Sequence, residues 1–421
     1  MTEASLPLGT LRGVITVPGS KSAAIRALAL AKLAPGESQL SGMSHGDDIL
    51  AMTRVVRGFG GGVVEREGDW SVSGGPLISP TGVLDAGESG LTARLALAMA
   101  GLADGEVTIT GRGRLRERPL TPLLDALRNL GVEVRGDTDH LPVTIRGRGR
   151  LDGGRVTVAT DTSTQFLSAM LIVAPMADAP LEVETSGLSG ARGYVTLTLD
   201  LMKRFGVEVE TKDAGFHVPV TGYRPAAVDI PPDASSAAYP LVGAAISGGR
   251  VEIYGLVAGN SHPDMALVGV LSRMGCVASS GPNGLVLSGP ETLQPIEADL
   301  SGAPDAALAL AVACLFADGT STLTGLGTWR HKESDRLMAM SEGLTRLGGR
   351  VWASDDAMEI TPVSRRGATV RSHGDHRVAM ALALAGLRLE GVVVEDADVV
   401  AKTWPGYWEA MRSLVSSAAE R

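Results

Sequence analysis

Apolar and polar residues alternate along this chain in a pattern that repeats. A segment with helical spacing ends in a large apolar residue, then comes glycine, then a run of β-branched residues. The joints are Phe59-Gly60, Leu130-Gly131, Phe205-Gly206, Met274-Gly275 and Leu347-Gly348. Their glycines lie 71, 75, 69 and 73 residues apart. Glycine there is the expected left-handed helix stop, and the residues that follow favour strand. The helices before the joints place apolar residues on one face, as in Leu123, Leu124, Leu127 and Leu130, or Leu197, Leu201 and Phe205. A period near 70 in 421 residues implies about six α/β units. The sixth falls in the tail, where Asp375 to Leu387 reads as helix and Val392-Val393-Val394 as strand.

Six units divide into two groups of three. Tyr223 to Pro232 contains three prolines, which bar a helix and suit a stiff connector. The next helix opens at Asp233-Ala234-Ser235-Ser236, an acidic N-cap. If the strand before Pro18 pairs with the second half, the chain crosses between lobes twice, near 16–20 and 224–233. That places the first lobe at 19–226, and the second at 1–18 with 227–421.

Composition narrows the class. Hydrophobic residues make up 44% and aromatic residues 4%, so the cores are built from Ala, Val and Leu. A net charge of −9 disfavours a nucleic-acid surface but permits a locally basic cleft for anionic small molecules. Cys276 and Cys314 lie in apolar surroundings without metal or disulfide spacing, which fits a reducing cytoplasm. No signal peptide is visible at the amino terminus, and no apolar run reaches the roughly 18 residues of a membrane span. Two lobes that bury their own cores point to a monomer, with no nucleic acid or membrane as partner.

Chemistry gathers at the predicted strand-to-helix turns. Pro18-Gly19-Ser20-Lys21-Ser22 follows an apolar run and opens a helix to Leu33, with Arg26 four positions on. The serines can cap the helix, and Lys21 and the free N–H groups would meet one anion. The spacing is not that of a P-loop. Glu117-Arg118-Pro119, Thr160 to Phe166, Trp329 to Arg336, Gly374-Asp375-His376-Arg377 and Ala401-Lys402-Thr403-Trp404-Pro405 occupy similar positions. Any of these words alone can be a capped or ion-paired helix start. Together, in this order from about Gly9 to Trp408, they resemble the enolpyruvyl transferase family, and its EPSP synthase branch most closely.

The resemblance implies an α/β fold of two lobes, each of three β-α-β-α-β-β units, an EPSP synthase-like inside-out barrel. It implies transfer of the enolpyruvyl group of phosphoenolpyruvate to a hydroxyl of shikimate 3-phosphate, by addition and elimination, with no metal or organic cofactor. An alternative is the same transfer to another hydroxylated ring or sugar, or a homologue without catalysis. By motif position, Lys21, Arg118 and Lys402 match the donor-phosphate ligands and Arg336 and Arg377 the donor-carboxylate clamp. Gln165 and the Gly90 backbone match further donor contacts. Asp305 matches the group that holds or deprotonates the acceptor hydroxyl, and Glu333 and Lys21 match the proton-transfer pair, with His376 as a helper. Ser22, Arg26 and Lys332, with Asp305 and Gln165, match acceptor contacts, and Ser163 and Thr164 its phosphate. The chain departs from the family pattern at Glu88 (usually Asn), Leu91 (Thr), Ala191 (Ser) and Thr328 (Asn). Ala24 and Ile25 replace a Ser and an Asn.

Overall fold

The computed structural model describes residues 2–136, 139–186 and 192–416. Among them are twelve α-helices: α1 Lys21–Leu33, α2 Asp47–Gly58, α3 Gly90–Ala100, α4 Thr121–Asn129, α5 Gln165–Val173, α6 Arg192–Arg204, α7 Ala234–Ser247, α8 Ala266–Arg273, α9 Ala307–Leu315, α10 Arg336–Arg346, α11 His376–Ala383 and α12 Tyr407–Ser413. The chain forms two compact units, one of Gly19–Ile230 and one of Met1–Pro18 with Pro231–Arg421.

One repeat shows the plan. Strand Leu84–Asp85 leads into α3, then Asp104–Thr110, α4, Glu133–Arg135 and Val143–Arg148. The first two strands are parallel, with Leu84 opposite Ile109. Val143–Arg148 lies antiparallel between the second and third strands, with Ile145 facing both Val107 and Val134. The β-α-β-α-β-β order recurs with the same pairing around Gly154–Ala159 and around Glu297–Asp299. All five joint glycines are left-handed, with φ between 79° and 102°, a conformation that costs other residues about 1–2 kcal/mol.

Two repeats borrow their opening strand. Thr10–Ile15 pairs in parallel with Arg250–Tyr254, so the amino terminus completes a sheet of the second half. Ala227–Asp229 pairs in parallel with Gly36–Ser41, placing Val228 opposite Leu40. The proline-rich stretch is therefore not purely a connector. Its central residues are a strand, which extends the first unit's sheet to the edge of Ile230. Three-residue strands flanked by prolines carry too little periodicity to be read from sequence. The sixth sheet is the smallest, with three strands, Glu3–Ala4, Val393–Glu395 and Thr369–Arg371.

The helices alternate in kind. In α1 every residue from Ala23 to Leu33 is buried, and α3, α7, α9 and α11 are buried along their whole length. In α5 only Gln165 escapes full burial. The helices between them, such as α2, α4 and α10, bury one face. A helix apolar on all sides is what a position inside the unit requires, and a striped one suits its surface. Each unit has its own apolar core around its three sealed helices. The charged residues that these helices nonetheless bury are Arg26, Lys32, Arg94, His376 and Arg377. All but Lys32 lie in the first two turns of their helix. Burying a charge is costly unless it is partnered, so these positions mark where the sequence gives up packing for chemistry.

Candidate active site

In the second unit the chemistry centres on Arg336, the first residue of α10, which is 1% exposed. Asp335 caps the helix by accepting the Met338 N–H. Arg336 Nη1 donates to Asp305 Oδ1 at 2.8 Å, Nη2 to Glu333 Oε2 at 2.9 Å, and Nε to Asp375 Oδ2 at 2.8 Å. Asp375 also accepts from the Ser334 hydroxyl and from the Arg377 backbone N–H as the cap of α11. Arg377 Nη2 lies 3.1 Å from Asp305 Oδ2, and Lys332 Nζ lies 3.7 Å from Asp305 Oδ1. Burial pushes the Asp305 carboxyl up, but Arg377, Lys332 and Arg336 outweigh it and hold the group well below the usual carboxylate range. Burial pulls the guanidinium of Arg336 down, but the carboxylates of Asp375, Glu333 and Asp305 outweigh it and hold the group above its ordinary value. Asp305 is thus an ionised acceptor among three cations, suited to accepting a hydrogen bond from a hydroxyl and orienting it.

Two further expected residues belong to this unit. His376, the first residue of α11, is fully buried, its Nδ1 3.7 Å from Asp375 Oδ1. Lys402 ends the 3-10 turn Ala397–Lys402 and is 7% exposed.

In the first unit, Ser20 caps α1 by accepting the Ala23 N–H, and Lys21 Nζ pairs with Asp48 Oδ2 at 3.1 Å. Arg26 is fully buried without a carboxylate. Its Nε donates to Thr198 Oγ1 at 2.8 Å, Nη2 to Ser168 Oγ at 3.1 Å, and Nη1 to the Ser22 carbonyl at 2.9 Å. Burial pulls its pKa down to about 10, the Tyr194 phenol acting weakly the other way. Gly90 begins α3, where a side chain has no room: a Cβ there would sit 2.6 Å from Arg118 Nη1. The absent side chain lets the Arg118 guanidinium lie over the helix N-terminus, where N–H groups and dipole favour an anion. Arg94 supports this corner, donating to the carbonyls of Gly90 and Pro119. Gln165 begins α5 and its N–H donates to Ser163 Oγ, while its buried Oε1 has no hydrogen-bond partner. Thr164 is the N-cap position of that helix.

The structure thus gathers Asp305, Lys332, Glu333, Arg336 and Arg377 into one network, Gly90 with Arg118, and Ser22 with Arg26. It pairs Lys21 with Asp48, the second residue of α2, which carried no expectation in the sequence analysis. Arg94, Ser168, Thr198 and Asp375 were also missed as participants. Asp375 sits inside a recognised word, but nothing in one dimension says that a cap also grips an arginine 39 positions away.

Glu88 is exposed, its carboxylate filling the space a Cβ at Gly113 would take, and Leu91 is 7% exposed on α3. Thr328 lies in the 3-10 turn Gly327–His331, with its buried hydroxyl oxygen lacking a hydrogen-bond partner. Ala24 and Ile25 are core residues. Ala191 lies outside the described residues. Among the described residues no helix is long and apolar enough to cross a membrane, and no group of three or more His, Cys, Asp or Glu is placed to hold a metal.

Residues 7–411 match the family model described as EPSP synthase (3-phosphoshikimate 1-carboxyvinyltransferase). The 3-phosphoshikimate 1-carboxyvinyltransferase of Marinomonas sp. (strain MWYL1) is 35% identical over 421 residues, covering 97% of this chain and 98% of its own. That of Methanothermobacter thermautotrophicus is 37% identical over 409 residues, covering 96% of each. The solved EPSP synthase of Acinetobacter baumannii superimposes with a TM-score of 0.83 at 27% identity, covering 98% of each chain. The repeat, the sealed helices and this likeness along the whole chain have one explanation: the protein belongs to the EPSP synthase family.

Proposed function

We propose that this protein transfers the enolpyruvyl group of phosphoenolpyruvate to a hydroxyl of shikimate 3-phosphate and releases phosphate. The observation that carries this reading is Asp305, half-buried and ionised among Arg336, Arg377 and Lys332 in a chain related along its length to enzymes of that name. Asp305 takes the acceptor's hydroxyl proton as its oxygen bonds to C2 of the donor. Glu333, with Lys21, delivers a proton to C3 to give a tetrahedral adduct. Loss of a C3 proton then breaks the C2–O bond to phosphate and restores the double bond. Arg336 and Arg377 grip the donor carboxylate, a task suited to planar forks. Lys21, Arg118, Lys402, Gln165 and the Gly90 N–H hold the donor phosphate. Ser22, Arg26, Lys332, Ser163, Thr164 and Gln165 hold the acceptor. His376 steadies the group around Asp375.

The geometry adds a condition. Arg336 commits four of its five N–H groups to three carboxylates, so a bidentate grip on the donor carboxylate requires the release of one partner. Glu333 and Asp305 each hold it by one bond and Asp375 by two, so the first two are the more readily exchanged. We also read the protein as a cytoplasmic monomer, since each unit buries its own core.

A second reading rests on Thr328 and Glu88, which change the residues expected around the acceptor and one anion-binding turn. It keeps the donor chemistry and changes the acceptor to another hydroxylated ring or sugar. Phosphate release with phosphoenolpyruvate and a panel of acceptors separates the two. Saturable turnover with shikimate 3-phosphate supports the first. Turnover only with another acceptor supports the second, and no release with any acceptor refutes both.

A further inference from the structure

Asp48 is a buried carboxylate for which the proposed reaction has no use. It is the second residue of α2 and is 4% exposed, and its Oδ2 accepts a hydrogen bond from Lys21 Nζ at 3.1 Å. Lys21 is the first residue of α1, and 16% of its side chain remains exposed against 5% for Asp48. The carboxylate is the more enclosed partner of this ion pair, and the ammonium is the one that solvent and ligands can still reach.

The same residue joins two more helix openings. Its backbone carbonyl accepts the Thr92 hydroxyl at 3.3 Å. Thr92 is the third residue of α3, two places after Gly90, and Ser89 accepts its N–H as the helix cap. The point that a Cβ at Gly90 would occupy lies 2.6 Å from Arg118 Nη1 and 3.1 Å from Arg94 Nη1. Through Asp48, therefore, the openings of α1, α2 and α3 meet in one corner of the first unit. Lys21, Gly90 and Arg118, read above as holding the donor phosphate, all belong to that corner.

Cationic side chains and helix N-termini together attract phosphate strongly. That attraction acts alike on the phosphate of the donor and on the phosphate set free. Binding the two equally lowers KM without raising kcat.

We propose that Asp48 is a positioning residue that acts through Lys21, a resident counter-charge that holds the ammonium in this corner and tempers its grip on phosphate, so that the released phosphate can leave. In the free protein the Asp48 carboxylate occupies Lys21 as an anion would. An arriving phosphate has to share the ammonium with it, and the two anions repel across a few ångströms. When phosphate departs, the Lys21–Asp48 pair closes again. The inference rests on the reading that Lys21 holds the donor phosphate.

The test is the affinity of the full-length protein for inorganic phosphate, read by calorimetry and as the inhibition constant against phosphoenolpyruvate. Asp48→Asn keeps an oxygen for Lys21 and the carbonyl for Thr92, and removes the charge. Phosphate should then bind about three- to tenfold tighter. The KM for phosphoenolpyruvate should fall in the same direction, and kcat should not rise. The melting temperature should fall as well, because a buried ion pair has lost one charge. Tighter binding by a less stable protein is the signature, since a merely structural carboxylate would loosen the site or leave it unchanged when removed. Asp48→Glu restores the charge and should bring phosphate affinity back toward that of the wild type. If Asp48→Asn does not fold, Asp48→Ser carries the same test. Weaker or unchanged phosphate binding in the folded variant overturns the proposal. Undiminished phosphate affinity in Lys21→Met would remove the reading on which the proposal rests, and the proposal with it. Should the wild type bind phosphate yet turn over no acceptor, the proposed reaction fails, and the calorimetric comparison still decides the role of Asp48.

Discussion

At the scale of single residues, the two arginine environments separate two ways of burying a cation. Arg336 is surrounded by Asp305, Glu333 and Asp375, whereas Arg26 meets only hydroxyls and a carbonyl. The first has its charge balanced by carboxylates. The second has its N–H groups satisfied by neutral oxygens and its charge unbalanced by any of them. If Asp305 and Glu333 handle protons, Asp305→Ala and Glu333→Gln should lose about 10²–10⁴-fold in kcat while substrates still bind. Pre-steady-state phosphate release with parallel binding titrations checks this, and lost binding with intact turnover would make both residues structural. Arg118→Ala removes a charge-assisted bond worth about 1.5–3 kcal/mol, so donor affinity should fall at least about tenfold. An unchanged donor affinity in a folded variant would remove Arg118 from the donor site. The cysteines behave differently from these groups: burial pushes the thiols of Cys276 and Cys314 up to about 12. Neither should react with a thiol-specific disulfide reagent at pH 8 until the protein is unfolded, which a colorimetric titration with and without urea reads directly.

At the scale of elements, the sealed helices explain why charges cluster where they do. Beyond its opening Lys21 and Ser22, helix α1 is apolar all round except at Arg26 and at Lys32 near its end. Lys32 is 1% exposed and donates to the carbonyls of Gly75 and Pro76 at 2.8 and 3.0 Å. Lys32→Met leaves those carbonyls without their donor and should cost about 1–3 kcal/mol in a urea titration at pH 7. Burial also lowers the Lys32 pKa to about 8, from 10.5. The unfolded chain therefore holds the proton more tightly, and between about pH 8 and 10.5 the lysine favours folding increasingly as pH rises. The wild type should gain on Lys32→Met between pH 7.5 and 9.5, and a constant difference would show that Lys32 keeps its proton when folded. The periodic helices and the joint glycines were legible in the sequence because both signals are local: a 3.6-residue stripe, and a stop that only glycine tolerates. The strand Ala227–Asp229 was not, because its identity comes from Gly36–Ser41 nearly 190 positions earlier.

At the scale of the whole molecule, the chain is two units that exchange opening strands in sequence but not in packing. Residues 19–230 are continuous and contain three complete sheets and their own core. Expressed alone, this segment should fold, with one cooperative thermal transition and the α/β circular dichroism of a native protein. A fragment without cooperative melting would show that its core depends on the rest of the chain. The other unit cannot be isolated as one segment, since Thr10–Ile15 and Arg250–Tyr254 lie side by side in its central sheet. The sequence by itself determined the number of repeats, the glycine joints and the words that carry the chemistry. Each of those depends on residues within one or two turns of each other. Only the tertiary structure decided which acid holds which cation. Asp305 and Asp375 meet on Arg336, and Arg377 reaches Asp305, because the turns that open α10 and α11 come to one place. Charges act through space over a few ångströms, and separation along the chain carries no record of that distance.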